Sequence, residues 1–139
     1  MSLSSEVQPQ SIFKPKFPEK IGKKLHFGCL YGSSDALLVS NLAKEHNGLL
    51  VVATENMNQA LRMEAALRFF LGNDSDFPIL SFPDWETLPY DVFSPHQDII
   101  SQRLETLHRL PETVRGILVV PVTMLMQRVP PRNFLNANS

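Results

Sequence analysis

A single cysteine, Cys29, is the whole thiol content of this 139-residue chain. That excludes an intramolecular disulfide and a cysteine-based zinc cluster. Charge of one sign is also missing. Thirteen Lys and Arg stand against 14 Asp and Glu, a net charge of −1, so the positive excess on which a dedicated nucleic-acid or membrane-surface binder relies is absent. No apolar run approaches the ~18 residues that read as a bilayer span, and the N-terminus carries no apolar core of a secretory signal. A cytoplasmic chain with no membrane partner is expected. What is present excludes disorder throughout, since 43% of residues are hydrophobic and 19% charged. The length is room for one domain.

Residues 1–20 read as a flexible tail ahead of a domain over 21–139. Met1 to Ser11 is rich in Ser and Gln, and Pro9, Pro15 and Pro18 break any helical or strand pattern. Five of the six lysines lie between Lys14 and Lys24, a cluster open to two readings, a basic arm on nucleic acid or a solvated lead-in.

From Leu25 onward the chain alternates between two periods. Leu25–Leu30 is a strand candidate, and Ser33-Ser34-Asp35 a helix cap followed by Leu38, Val39, Leu42 and Ala43 on one face. Asn47-Gly48 is a stop, because Gly tolerates the left-handed conformation at a helix C-terminus. Leu49–Ala53 is a continuous apolar run, the mark of a strand covered on both faces. Asn56 with Gln59 resembles a capping box, opening a helix with Ala60, Met63, Leu67, Phe70 and Leu71 on one stripe and Arg62 and Arg68 turned away. Gly72-Asn73-Asp74 ends it, and Ile79–Phe82 is a shorter strand. Ser94-Pro95-His96-Gln97 caps a third helix, which carries Ile100, Leu104 and Leu107 inward. Ile117–Val120 is the fourth strand, and Thr123–Gln127 adds a helical turn. Apolar strands separated by helices predict an α/β class, a parallel sheet with right-handed crossovers and helices on both faces.

A strand, a glycine loop and a helix is where such proteins hold phosphate. Cys29 to Ala36 sits there, but a phosphate-binding loop needs G-x-x-x-x-G-K-[ST]. Cys29 and Ser34 stand in the glycine places, Gly32 falls on a spacer, Asp35 replaces the lysine and Ala36 the hydroxyl. The nucleotide loop at Gly32, Ser33, Ser34, Asp35 and Ala36 is therefore degenerate and not expected to bind ATP. None of His26, His46, His96 and His108 is paired at i, i+4, so no metal site is expected. Cys29 has no assignable base and reads as a small buried strand residue. Asp84, Glu86, Asp91 and Asp98 surround Trp85 and Tyr90, a loop that reads as structural or docking. No nucleophile–base–orienter set can be assembled, so no catalytic residue and no cofactor are assigned to the chain.

Asp84-Trp85-Glu86-Thr87-Leu88-Pro89-Tyr90-Asp91, then Phe93-Ser94-Pro95-His96-Gln97-Asp98-Ile99-Ile100-Ser101, closely resemble the N-terminal region of bacterial transcription-repair coupling factors, and Gly116–Val129 resembles the same family further on. The resemblance covers roughly Leu25 to Leu135. It implies a P-loop NTPase or helicase-like fold similar to the first domain of the excision-repair protein UvrB, with Cys29–Ala36 the decayed counterpart of its phosphate loop. The family's ATP-driven DNA translocase motor, its RNA-polymerase-binding module and most or all of its UvrA-recruiting surface lie outside this chain. Where UvrB inserts a DNA-gripping hairpin, near Leu88–Ser94, only a short loop stands. The chain is expected to be a fragment or truncated homologue, incomplete because UvrB-like sheets are finished by strands that return later. That leaves an unpaired edge through which it can self-associate.

On this reading the chain is a non-catalytic module that supports UvrA recruitment and restrains the motor. Its partners are the remaining domains of the parent protein and, through them, UvrA, RNA polymerase and DNA. Trp85, Tyr90 and Phe93 are expected as loop anchors and Arg103 as an exposed contact. The alternative is a residual nucleotide- or DNA-binding helicase-like domain; a free-standing phosphate-binding module would need backbone contacts at Gly32–Ser34.

Overall fold

The computed structural model describes residues 11–72, 77–85 and 97–131. Along the chain these form α1 (Ser34–Glu45), β1 (Leu49–Thr54), α2 (Met57–Leu71), β2 (Ile79–Ser81), α3 (Gln97–Arg109), β3 (Gly116–Pro121) and α4 (Val122–Leu125). The three strands are parallel, in the order β1-β3-β2. The chain moves outward from β1 to β2 through α2 and back to β3 through α3. Since α2 and α3 lie on opposite faces, the two crossovers share one hand, as parallel pairing of twisted strands demands.

Alternation along β3 divides the core in two. Ile117 and Val119 point to one face and are fully buried with Ala36, Ala43, Ala60 and Leu67 of α1 and α2. Leu118 and Val120 point to the other and meet Phe82, Trp85, Leu107 and Met124. The α1–α2 contact is lined by small residues, Ala36, Ser40, Ala43 and Ala60, which let two helix backbones approach closely. Leu67 is inaccessible to solvent, and removing such a side chain to the Cβ costs about 2–5 kcal/mol.

The α2 segment forms where expected. It is built largely from Ala, Leu, Met, Arg and Glu, strong helix formers, and the Asn56 side chain accepts from the Gln59 N–H at 3.0 Å. The reciprocal half of the capping box is not made, because the Gln59 amide donates to Glu55 instead. Gly72 closes the helix at φ 75°.

Four expectations are corrected. Leu25–Leu30 is not a strand: Cys29 sits at φ 58°, outside the β region, and the segment pairs with no strand although β1 stands at an edge of the sheet. Cys29 is exposed rather than buried. The stop at Asn47-Gly48 comes earlier, since α1 ends at Glu45 and His46 turns extended; Gly48 is not left-handed, and a Cβ there would lie 2.9 Å from the His46 ring. β1 is covered on one face only. Leu50 and Val52 pack under the helices, whereas Val51 is 52% exposed because α3 roofs β2 and β3 without reaching β1.

Residues 11–20 of the expected tail touch the domain. Pro15 is buried, Asn41 of α1 donates to the Ile12 carbonyl at 3.0 Å, and Phe17 stacks on His46 with centroids 5.6 Å apart. The α1 carboxyl end is tied to β3 by Arg115, whose guanidinium donates to the Lys44 and His46 carbonyls, a cation where the helix dipole favours one. The Ser94-Pro95 cap lies outside the described residues.

Candidate functional site

Two neighbourhoods collect the residues singled out from the sequence. The first is the turn into α1. Gly32, at φ 61°, needs its backbone freedom for that turn; nothing lies within 4 Å of where its Cβ would be. Ser34 donates through both its N–H and its hydroxyl to the Tyr31 carbonyl, at 3.2 and 2.7 Å. Ser33 stands at the N-cap without a side-chain cap bond. Asp35 does the nearby work instead: its carboxylate accepts from the Ala36 N–H at 2.7 Å. An unsatisfied amide at the start of a helix favours negative charge, and here the chain supplies that charge from within.

Beside this turn is a cavity of about 250 Å³ lined by Gly32, Ser33, Asp35 and Ala36 together with Thr54, Gln59 and Arg62. The structure thus brings four of the five loop residues to one hollow and adds five more, Met63 and Ala66 among them. Arg62 was legible only as a residue turned from the α2 core stripe, and it is indeed exposed. Thr54 could have been found, because it ends β1 on the carboxyl side of the sheet, where open α/β sheets carry their clefts.

The second neighbourhood is the start of the loop after β2. Arg103 of α3 was expected as an exposed contact, yet it is 4% exposed. Its guanidinium carbon lies 4.1 Å from the centroid of Phe82 and 4.1 Å from that of Trp85. The same group donates to the Pro83 carbonyl and, at 3.0 Å, to the Met124 sulfur. Burial pushes the Arg103 pKa down, with the Asp84 charge pushing it back up. Asp84 itself is placed by the Trp85 N–H at 2.7 Å and the Thr123 hydroxyl at 3.3 Å.

The expected inward face of α3 is corrected in part: Leu107 packs on the second core cluster as expected. Arg103 and Thr106 are its buried residues, while Leu104, expected inward, is 39% exposed. A guanidinium between two rings, with a carbonyl on its N–H, is better matched to that interior than a leucine. Trp85 is half-buried, packed on the second core cluster beside Arg103; Tyr90 and Phe93 lie outside the described residues, as do Glu86 and Asp91. Among the described residues no group of three or more His, Cys, Asp or Glu is arranged to hold a metal. No described helix is long and apolar enough to cross a membrane.

No family model matches the chain. Curated relatives do. It is 44% identical over 127 residues to the transcription-repair-coupling factor of Escherichia coli, an alignment covering 91% of this chain and 11% of that protein. The Haemophilus influenzae protein of the same name is 38% identical over 128 residues, with 92% and 11% covered, and the Rickettsia prowazekii one 32% identical over 100 residues, with 71% and 9% covered. This chain therefore spans about a tenth of the length of the relatives it matches. With an α/β core of the expected class and likeness along nearly its whole length, the chain belongs to the transcription-repair-coupling factor family, matching an N-terminal stretch of its much longer members.

Proposed function

We propose that this stretch is a non-catalytic, architectural module of its parent protein. It supports the part that recruits UvrA and packs against the remaining domains to restrain the ATP-driven motor until RNA polymerase is engaged. DNA, nucleotide and polymerase are handled by the longer protein, and this chain holds no cofactor of its own.

The observation that carries the reading is the Asp35 carboxylate 2.7 Å from the Ala36 N–H. A phosphate-binding loop keeps that region open and faces it with a lysine. Here a fixed anion occupies it. Two like charges about 4 Å apart near a protein surface repel by about 4 kcal/mol, so the residues present do not fit a triphosphate. The uncovered face of β1, with Val51 half in solvent, supports a role in packing against further protein.

Isothermal titration with Mg-ATP tests this, on the chain as it stands and on Asp35→Lys/Ala36→Thr. The expected result is no heat from the unaltered chain. Clear binding by it would overturn the architectural reading in favour of a residual nucleotide-binding domain, for which Arg62 in the same cavity is the favouring observation. If nucleic acid is bound instead, affinity falls steeply with salt.

A further inference from the structure

We infer that the outer edge of β2 is a docking site for an extended, uncharged segment of a partner polypeptide, which adds to the sheet as a further strand. The strand order leaves β2 at an edge. The Ile117 N–H donates to the Pro78 carbonyl at 3.0 Å and the Phe82 N–H to the Val119 carbonyl at 3.1 Å, so residues 78, 80 and 82 direct their backbone groups to β3. Alternation then turns those of Ile79 and Ser81 the other way. The Ser81 carbonyl is indeed met on that side, accepting from the Thr106 hydroxyl of α3 at 2.8 Å. Among the described residues nothing pairs with the Ile79 N–H, the Ile79 carbonyl or the Ser81 N–H.

This edge is the floor of a groove of about 380 Å³ between α2 and α3. Alternating backbone donors and acceptors on a groove floor are matched by one kind of ligand, another extended backbone. The walls say what its side chains are. On α2, Arg68 is held by Glu64 at 2.7 Å; on α3, Arg109 is held by Glu105 at 3.4 Å. Each wall is neutral, so neither an acidic nor a basic tail finds a complementary charge. Met57 and the half-exposed Leu61 line the α2 side, and they favour an apolar residue at alternate positions of the incoming strand.

The test is a titration of the ¹⁵N-labelled chain with the blocked peptide acetyl-Thr-Val-Thr-Val-Thr-amide, followed by amide NMR. The Ile79 and Ser81 signals are expected to move to saturation. N-methylating alternate residues of the peptide removes its donors and leaves the protein untouched; affinity is expected to fall at least about tenfold, the loss of one or two hydrogen bonds. Ser81→Pro is expected to do the same from the protein side, since Pro is tolerated on an edge strand and the N–H it deletes points away from β3. The proposal is overturned if other amides move instead, or if the N-methylated peptide binds equally well. It is overturned too if the edge signals broaden with protein concentration alone, for the occupant is then a second copy of the chain.

Discussion

Replacing Arg103 tests whether a buried cation holds the second half of the core together. In Arg103→Ala the Pro83 carbonyl loses its donor, Phe82 and Trp85 lose the group stacked between them, and a space is left beneath α3. A hydrogen bond to a charged donor contributes about 1.5–3 kcal/mol, and each desolvated cation–π contact about 1–2 kcal/mol. Against these stands the cost of keeping a guanidinium 4% exposed, several kcal/mol before the Asp84 charge offsets part of it. The expected net loss is about 2–4 kcal/mol. Arg103→Met, which fills the space but donates no hydrogen bond, is expected to lose about half of that. The assay is urea unfolding followed by fluorescence, and Trp85, the only tryptophan of the chain, reports from inside the cluster. The sign of the pH dependence follows from the lowered pKa. A buried cation destabilises below its folded pKa, and stability rises only as the group loses its proton, which arginine does not do at physiological pH. The Arg103 contribution is therefore level between about pH 5 and 9. A loss under about 0.5 kcal/mol, the range of ordinary surface substitutions, with unchanged Trp85 emission, would refute the clamp.

Gly72→Ala is expected to destabilise by about 1–3 kcal/mol, because φ 75° and ψ −174° fall in a region only glycine occupies readily; with nothing within 4 Å of the added Cβ, the cost is conformational, and Gly28→Ala serves as the neutral control in the same urea titration. Asn56→Ala removes the acceptor of the Gln59 N–H and is expected to lower stability by about 1 kcal/mol, read as a shift of the denaturation midpoint at constant slope.

Local patterns in the sequence carry much of the fold. The Asn56 cap, the Gly72 stop and the α2 stripe depend on contacts within one or two helical turns, so residue spacing alone specifies them. The apolar runs at 49–53 and 117–120 likewise specify strands, and strands alternating with helices specify parallel pairing and an α/β class. The residue types at Gly32–Ala36 were legible, but that Asp35 turns its carboxylate onto the Ala36 N–H was not, since a side-chain rotamer leaves no trace in spacing.

What only tertiary structure decided is partnership. Leu25–Leu30 has the composition of a strand, yet the chain leaves the extended region at Cys29 and the segment does not pair, though β1 stands at an edge of the sheet. β1 has the composition of a strand buried on both faces and is roofed on one, because α3 is carried to the far side of the sheet. Arg103 belongs by residue type on the surface and is inside, because Phe82, Pro83 and Trp85, about twenty positions earlier, bring two rings and a carbonyl to it. Hydropathy assigns a side chain its average environment. Whether a charge can be buried depends on the geometry of groups remote in sequence, and those distances are set only when β2, α3 and α4 are packed together.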